Sequence, residues 1–119
     1  MAQHTHLTSA QRYQLDAFGY TLLKGVLTPE EVAQTKDALY RLKAEPDLSQ
    51  HRVYTRKQGD HFQLFGHLVE YDPALLNYAA HPKLVPLVEE LVGGAVRLEE
   101  SEAIINRRNP LADIEALRL

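Results

Sequence analysis

Apolar positions recur three or four apart in two stretches of this chain, and those stretches predict its clearest helices. In LTPEEVAQTKDALYRLKAEP, Val32, Leu39 and Leu42 form one stripe, with Thr35 and Ala38 on the same face. Thr28 sits where a helix begins, and its side-chain oxygen can accept from an unpaired N–H of the first turn. Pro29 suits the first helical position, where its missing N–H costs nothing. Glu31, three beyond Thr28, completes a capping box, and Leu27 can pack on Val32 as a staple. Asp37 and Arg41 make a well-oriented i,i+4 pair, and Pro46 marks the exit. The second stripe is Leu84, Leu87, Val88 and Leu91 in HPKLVPLVEELVGG. Pro86 is tolerated there because it lies near the helix start, and Gly93-Gly94 ends the run.

Weaker patterns fill the rest. TSAQRYQLDAF, residues 8–18, predicts a helix capped by Thr8 or Ser9 and stopped by Gly19. YTLLKGVL then predicts a short buried strand ending at a turn around Lys24-Gly25. Residues 47–72 mix β-branched and aromatic residues with Gly59 and Gly66, and predict strand or irregular structure. A short helix follows, capped by Asp72 with Pro73 first. Ala80 or His81 stands before Pro82 in the same way. AVRLEESEAIIN predicts a strand over 95–106. Val96, Leu98, Glu100, Glu102 and Ile104 face one way, and Arg97, Glu99, Ser101, Ala103 and Ile105 the other. Neither face is wholly apolar, so the strand borders a polar cavity or forms an exposed edge.

Bulk composition narrows the function classes. The chain has 119 residues, one domain or less, and enough for a small core. Its net charge is −3, whereas nucleic-acid binding calls for a basic face. The one basic cluster, RVYTRKQ, reads as a solvated loop or strand edge. No cysteine is present, which excludes disulfides, thiolate metal sites and a cysteine nucleophile. MAQHTHLTSAQ lacks the basic and apolar regions of a signal peptide, and no apolar run approaches a membrane span. The expected location is cytoplasmic, with no nucleic-acid or membrane partner.

Among the histidines and carboxylates one cluster suggests chemistry. His61, His67 and Glu70, with Asp60 and Asp72 nearby, can be drawn as a two-His-one-carboxylate site. Six residues between the histidines do not fit one helical face, although His67 and Glu70 can share a helix turn. A segment flanked by glycines also gives poor support for converging ligands. These side chains are therefore expected at the surface or half-buried. His81 reads as a residue that opens a helix. With Met1 removed, Ala2-Gln3-His4 offers nitrogens that can wrap Cu(II) or Ni(II), which is read as adventitious. No Ser-His-Asp arrangement is legible, and Gly93-Gly94 lacks the spacing of a phosphate loop.

Two longer motifs carry a resemblance. A helix, then FGYTLLKGVLTPEEV, then a helix ending in YRL resembles the start of phytanoyl-CoA dioxygenase family proteins. HPKLVPLVEELVGGAVRLEESEAIIN is similar to that family's helix, glycine turn and strand. The resemblance implies an α+β fold: N-terminal helices plus a few strands of an incomplete double-stranded β-helix, or jelly roll. It also implies Fe(II)- and 2-oxoglutarate-dependent hydroxylation of a small organic substrate. In the family the strand leads to a Lys-Pro-Pro-like turn, then a His-x-Asp motif and a distant second His, which hold the iron. Here Arg107 falls where the lysine often stands, which makes it the expected cosubstrate-pocket residue. None of the six histidines is followed two places later by Asp.

The expected organisation is an N-terminal arm over 1–7, a partial family domain over 8–107 and a divergent tail over 108–119. No catalytic or metal-ligating residue and no bound cofactor is assigned to this chain alone. Fe(II) and 2-oxoglutarate belong to the complete family fold. Three expectations follow. The chain is a truncated or partial member, inactive by itself. Alternatively it is half of a split oxygenase completed by a partner chain, or a small non-enzymatic structural module. Exposed strand edges are expected to invite self-association or a complementary chain.

Overall fold

The computed structural model describes residues 6–108. Among them, helices α1 (Ser9–Phe18), α2 (Pro29–Ala44), α3 (Pro73–Ala79) and α4 (Val85–Val92) accompany strands β1 (Tyr54–Gln58), β2 (Phe62–Gly66) and β3 (Glu102–Asn106). The strands form one antiparallel sheet in the order β1-β2-β3. This is the α+β arrangement expected, with the open sheet of an incomplete sandwich.

Local chemistry sets the helix boundaries. Thr28 Oγ1 accepts from the Glu31 N–H at 3.1 Å, and Glu31 Oε1 accepts from the Thr28 N–H at 3.1 Å. Thr8 and Gln11 build the same reciprocal cap on α1. Gly19 and Gly93 close α1 and α4 with φ of 81° and 82°, a left-handed conformation that glycine adopts without a Cβ clash. Asp72 caps α3 through the Ala74 N–H at 2.8 Å. It also binds Arg41 Nη2 at 2.6 Å, which ties α3 to α2. Arg41 Nε holds Asp37 at 3.0 Å.

The core lies between α2 and one face of the sheet. Ala38 and Leu42 of α2 meet Phe65 of β2, with Val53, Leu68 and Leu75 around them. Ala103 and Ile105 of β3 pack against this cluster. Strand parity sends Glu102, Ile104 and Asn106 the other way, and Ile104 is 52% exposed. The register sets Leu64 between Arg56 and Ile104 on that second face. Leu64 is buried, yet it stands outside the helix-side core. Leu7 is buried as well, and its N–H donates to Glu90 Oε2 at 2.8 Å. Glu90 also pairs with Arg12, so α4 anchors both Leu7 and α1.

Four features differ from the sequence expectations. Residues 20–23 form no strand; Tyr20 and Leu22 are exposed, although the Lys24-Gly25 turn is present. Only 102–106 of the predicted 95–106 strand pairs, because β2 offers just Phe62–Gly66 as partners. The last helix starts at Val85 rather than beside Pro82, after a turn over 82–84. The stripes are also narrower than their spacing implies. Val32, Val88 and Leu91 are exposed, while Leu42 and Leu87 are buried. The Ala2-Gln3-His4 chelate and residues 109–119 of the tail lie outside the described residues.

Candidate functional site

The bare face of the sheet and its two ends gather most of the side chains singled out in the sequence. At one end β2 stops where His67 takes φ 58° and ψ 48°, the one left-handed non-glycine residue among those described. The Tyr54 ring lies across Gly66, its register partner, so closely that a Cβ there would meet Cζ at 2.1 Å. Only glycine leaves that space. His67 stacks edge-on against Tyr54 at 4.8 Å between ring centroids. The Tyr54 hydroxyl donates to Glu102 Oε1 at 2.6 Å. This bond pushes the phenol's pKa up, with burial and the carboxylate's charge adding to it.

Beside this end is a cleft of about 290 Å³ lined by residues including Arg52, His67, Glu70, Glu99, Glu100 and Ser101. Arg52 Nε lies 3.5 Å from Glu70. Ser101 Oγ accepts from the Leu68 N–H at 2.9 Å, which holds the 98–101 segment against the turn after β2.

The opposite end is the turn joining β1 to β2. Asp60 lies 3.5 Å from Lys57 Nζ and 3.6 Å from Arg107 Nη2. These three line a cleft of about 130 Å³ together with Lys43, Gln63 and Ile105. Arg107 therefore stands on the helix side of the sheet end, with its N–H bonded to the His61 carbonyl at 2.9 Å. Its neighbours include two lysines and one carboxylate, so the cleft favours an anion.

The histidine–carboxylate trio does not converge. His61 and His67 flank the five residues of β2, and six steps of extended chain separate them by roughly 20 Å. His67 and Glu70 do line one cleft, but Asp60 belongs to the far turn and Asp72 to the α3 cap. Burial of His81 at 3% exposure gave no sequence signal. Its Nε2 lies 2.7 Å from Glu31 Oε2, and its Nδ1 accepts from the Lys83 N–H at 3.1 Å. Those partners place a proton on Nε2, and the imidazole bridges the α2 cap to the α3–α4 connection. Glu31 is held below the usual carboxylate range, first by the Thr28 N–H and then by His81.

The helix–sheet order and the Gly93 turn into β3 can now be set beside known proteins. The family model for phytanoyl-CoA dioxygenase (PhyH) matches residues 15–110. The chain belongs to the phytanoyl-CoA dioxygenase family. No curated protein and no solved structure matches it. Phytanoyl-CoA dioxygenases are generally Fe(II)- and 2-oxoglutarate-dependent, a chemistry that needs converging metal ligands. No three His, Cys, Asp or Glu side chains are grouped to hold a metal among the described residues. His81 is taken up by Glu31 and Lys83, and His51 Nε2 lies 3.7 Å from Glu45. The described residues do not fit a ferrous centre. No described helix is long and apolar enough to cross a membrane.

Proposed function

We propose that this chain supplies a scaffold layer of a phytanoyl-CoA dioxygenase-like oxygenase. Its helices buttress one face of the sheet, and its other face looks toward the reaction space. Iron and 2-oxoglutarate, where they act with this chain, are held mainly by residues other than those described. The chain over 6–108 is then inactive by itself, and its role is to shape and support.

The observation that carries this reading is the two-faced sheet within the family match. Phe65 is fully buried against α2, while on the reverse side Leu64 is buried in mid-sheet but Tyr54, Arg56, Glu102, Ile104 and Asn106 around it are exposed. A sheet that faces a cavity or a second layer has this asymmetry, because one face needs burial and the other awaits it. Arg107 stands at the end of the sheet on its helix side, not on that face, so in this reading it offers positive charge to a carboxylate of the cosubstrate only at the rim of the reaction space. Lys43 and Lys57 beside it support the assignment, and Asp60 must then exchange its partner.

The test is anaerobic titration of the chain with Fe(II) and 2-oxoglutarate, watching for the weak visible charge-transfer band. Succinate release in air is measured alongside. No band and no iron-dependent succinate are expected from this chain alone. A band, with succinate formed in step with added iron, would refute the scaffold reading. Arg107→Ala would then show whether cosubstrate affinity depends on that cation.

A further inference from the structure

The two outer strands present edges that are unpaired among the described residues, and their charges differ. On β1, antiparallel self-pairing about its centre sets Arg56 against a second Arg56 with Lys57 alongside. Like charges directly opposite are destabilising, so this edge is guarded against a second copy.

The β3 edge has the opposite character. From Glu100 it reads Glu-Ser-Glu-Ala-Ile-Ile-Asn-Arg-Arg, acidic at one end, apolar in the middle and basic at the other. A two-fold axis at Ile104 sets that residue against its own copy. It sets Ala103 against Ile105, Glu102 against Asn106, Ser101 against Arg107 and Glu100 against Arg108. No like charges meet, and the outermost pairs are opposite in sign.

The backbone agrees with this register. The Arg107 N–H donates to the His61 carbonyl, and 61/107 continues the β2–β3 pairing. Bonded and non-bonded pairs alternate in an antiparallel ladder. Ala103 and Ile105 therefore spend their N–H and C=O groups on β2. Those of Glu102, Ile104 and Asn106 point to the free edge, where the axis at Ile104 brings each onto a matching outward residue. Roughly six hydrogen bonds close such a seam.

We propose that two copies of this chain pair through β3, antiparallel and centred on Ile104, to make one continuous six-stranded sheet. The seam is short, so the dimer is weak and concentration-dependent. The proposal does not depend on oxygenase chemistry, and its test does not read activity.

Sedimentation velocity of the full chain, from low to high micromolar, should show a reversible shift from monomer to dimer. Ile104→Lys places like charges on the axis and should leave a folded monomer throughout. Arg108→Glu sets carboxylates against Glu100 in both outer pairs and should weaken dimerisation about tenfold. Combining it with Glu100→Arg restores opposite signs and should recover most of the loss. Both exchanged residues are exposed, so this swap carries the test if Ile104→Lys fails to fold. A chain that stays monomeric at all concentrations would overturn the proposal. So would a dimer indifferent to Ile104→Lys, or a double exchange that does not rescue the single one.

Discussion

Truncating Phe65 and, separately, Ile104 to alanine sets the two faces of one sheet against each other. Phe65 is fully buried between β2's neighbours and α2. Removing its ring deletes the transfer energy of the lost atoms and leaves a cavity, which together cost about 3–5 kcal/mol. A domain of this size holds only about 5–15 kcal/mol, so the variant should be near its unfolding threshold. Ile104 is 52% exposed. Its truncation forfeits about half the burial of the lost methyl and methylene groups, and water fills the space, so about 1 kcal/mol is expected. Urea unfolding followed by circular dichroism in dilute solution measures both. A change in midpoint at constant slope reports the stability difference. Equal costs for the two variants would mean that the second face is covered in solution, and the two-faced reading would fail. A cost under about 1 kcal/mol for Phe65→Ala would place the core elsewhere. Raising the concentration adds a further check, because a dimer that binds only the folded chain stabilises it by mass action. The Ile104→Ala penalty should therefore grow with concentration, and the Phe65→Ala penalty should not.

Other outcomes follow from single contacts. Thr28→Ala removes one half of the α2 cap and should cost about 1 kcal/mol, read from the urea midpoint. His81→Ala strips the buried acceptor from the Lys83 N–H and the donor from Glu31, and should cost about 2–3 kcal/mol in the same assay. Acid should destabilise the fold. Asp72 is held below the usual carboxylate range by Arg41 and then the Ala74 N–H, and Glu90 by the Leu7 N–H and then Arg12. On lowering the pH the unfolded chain takes up these protons first. The stabilisation is thus complete above the ordinary carboxylate pKa near 4 and is lost as pH falls through the depressed folded values. Midpoints should be flat from neutral pH to about 5 and then fall, less steeply in Arg41→Ala. Gly66→Ala drives a Cβ into the Tyr54 ring and should release the Tyr54–Glu102 bond, lowering the phenol's pKa in a spectrophotometric titration.

What was legible in the sequence is what is decided locally. The Thr28–Glu31 cap, the Asp72 cap and the Gly19 and Gly93 stops each involve residues within a few positions, and all are present. Strands are different, because an extended segment becomes one only by finding a partner far along the chain. YTLLKGVL has the right composition and no partner among the described residues. The alternation over 95–106 is real, yet the ladder stops at Glu102, opposite Gly66, where His67 turns β2 away. The β1–β2 hairpin was hidden because β1 is exposed along its whole length and shows no alternation of burial. The His81–Glu31 bridge spans fifty positions, and Glu31 already had a local explanation as a cap. The expected Arg107 position could be read only through family resemblance, and its Asp60 partner only from the turn that brings residue 60 beside the end of β3.

The sheet has two open surfaces among the described residues, and different forces would close each. A second copy at the β3 edge would be held by backbone hydrogen bonds, which depend on register and on the charges flanking the seam. A layer on the other face would be held by burying side chains such as Ile104, which depends on shape and apolar area. Ile104 belongs to both, through its backbone at the edge and its side chain on the face. A change at that residue therefore cannot tell a strand partner from a covering layer. The exchange of Glu100 and Arg108 can, because both lie beyond the paired strand. If reversing one charge weakens self-association and reversing both restores it, the edge is the surface that a second copy uses. The other face then remains available for a different partner.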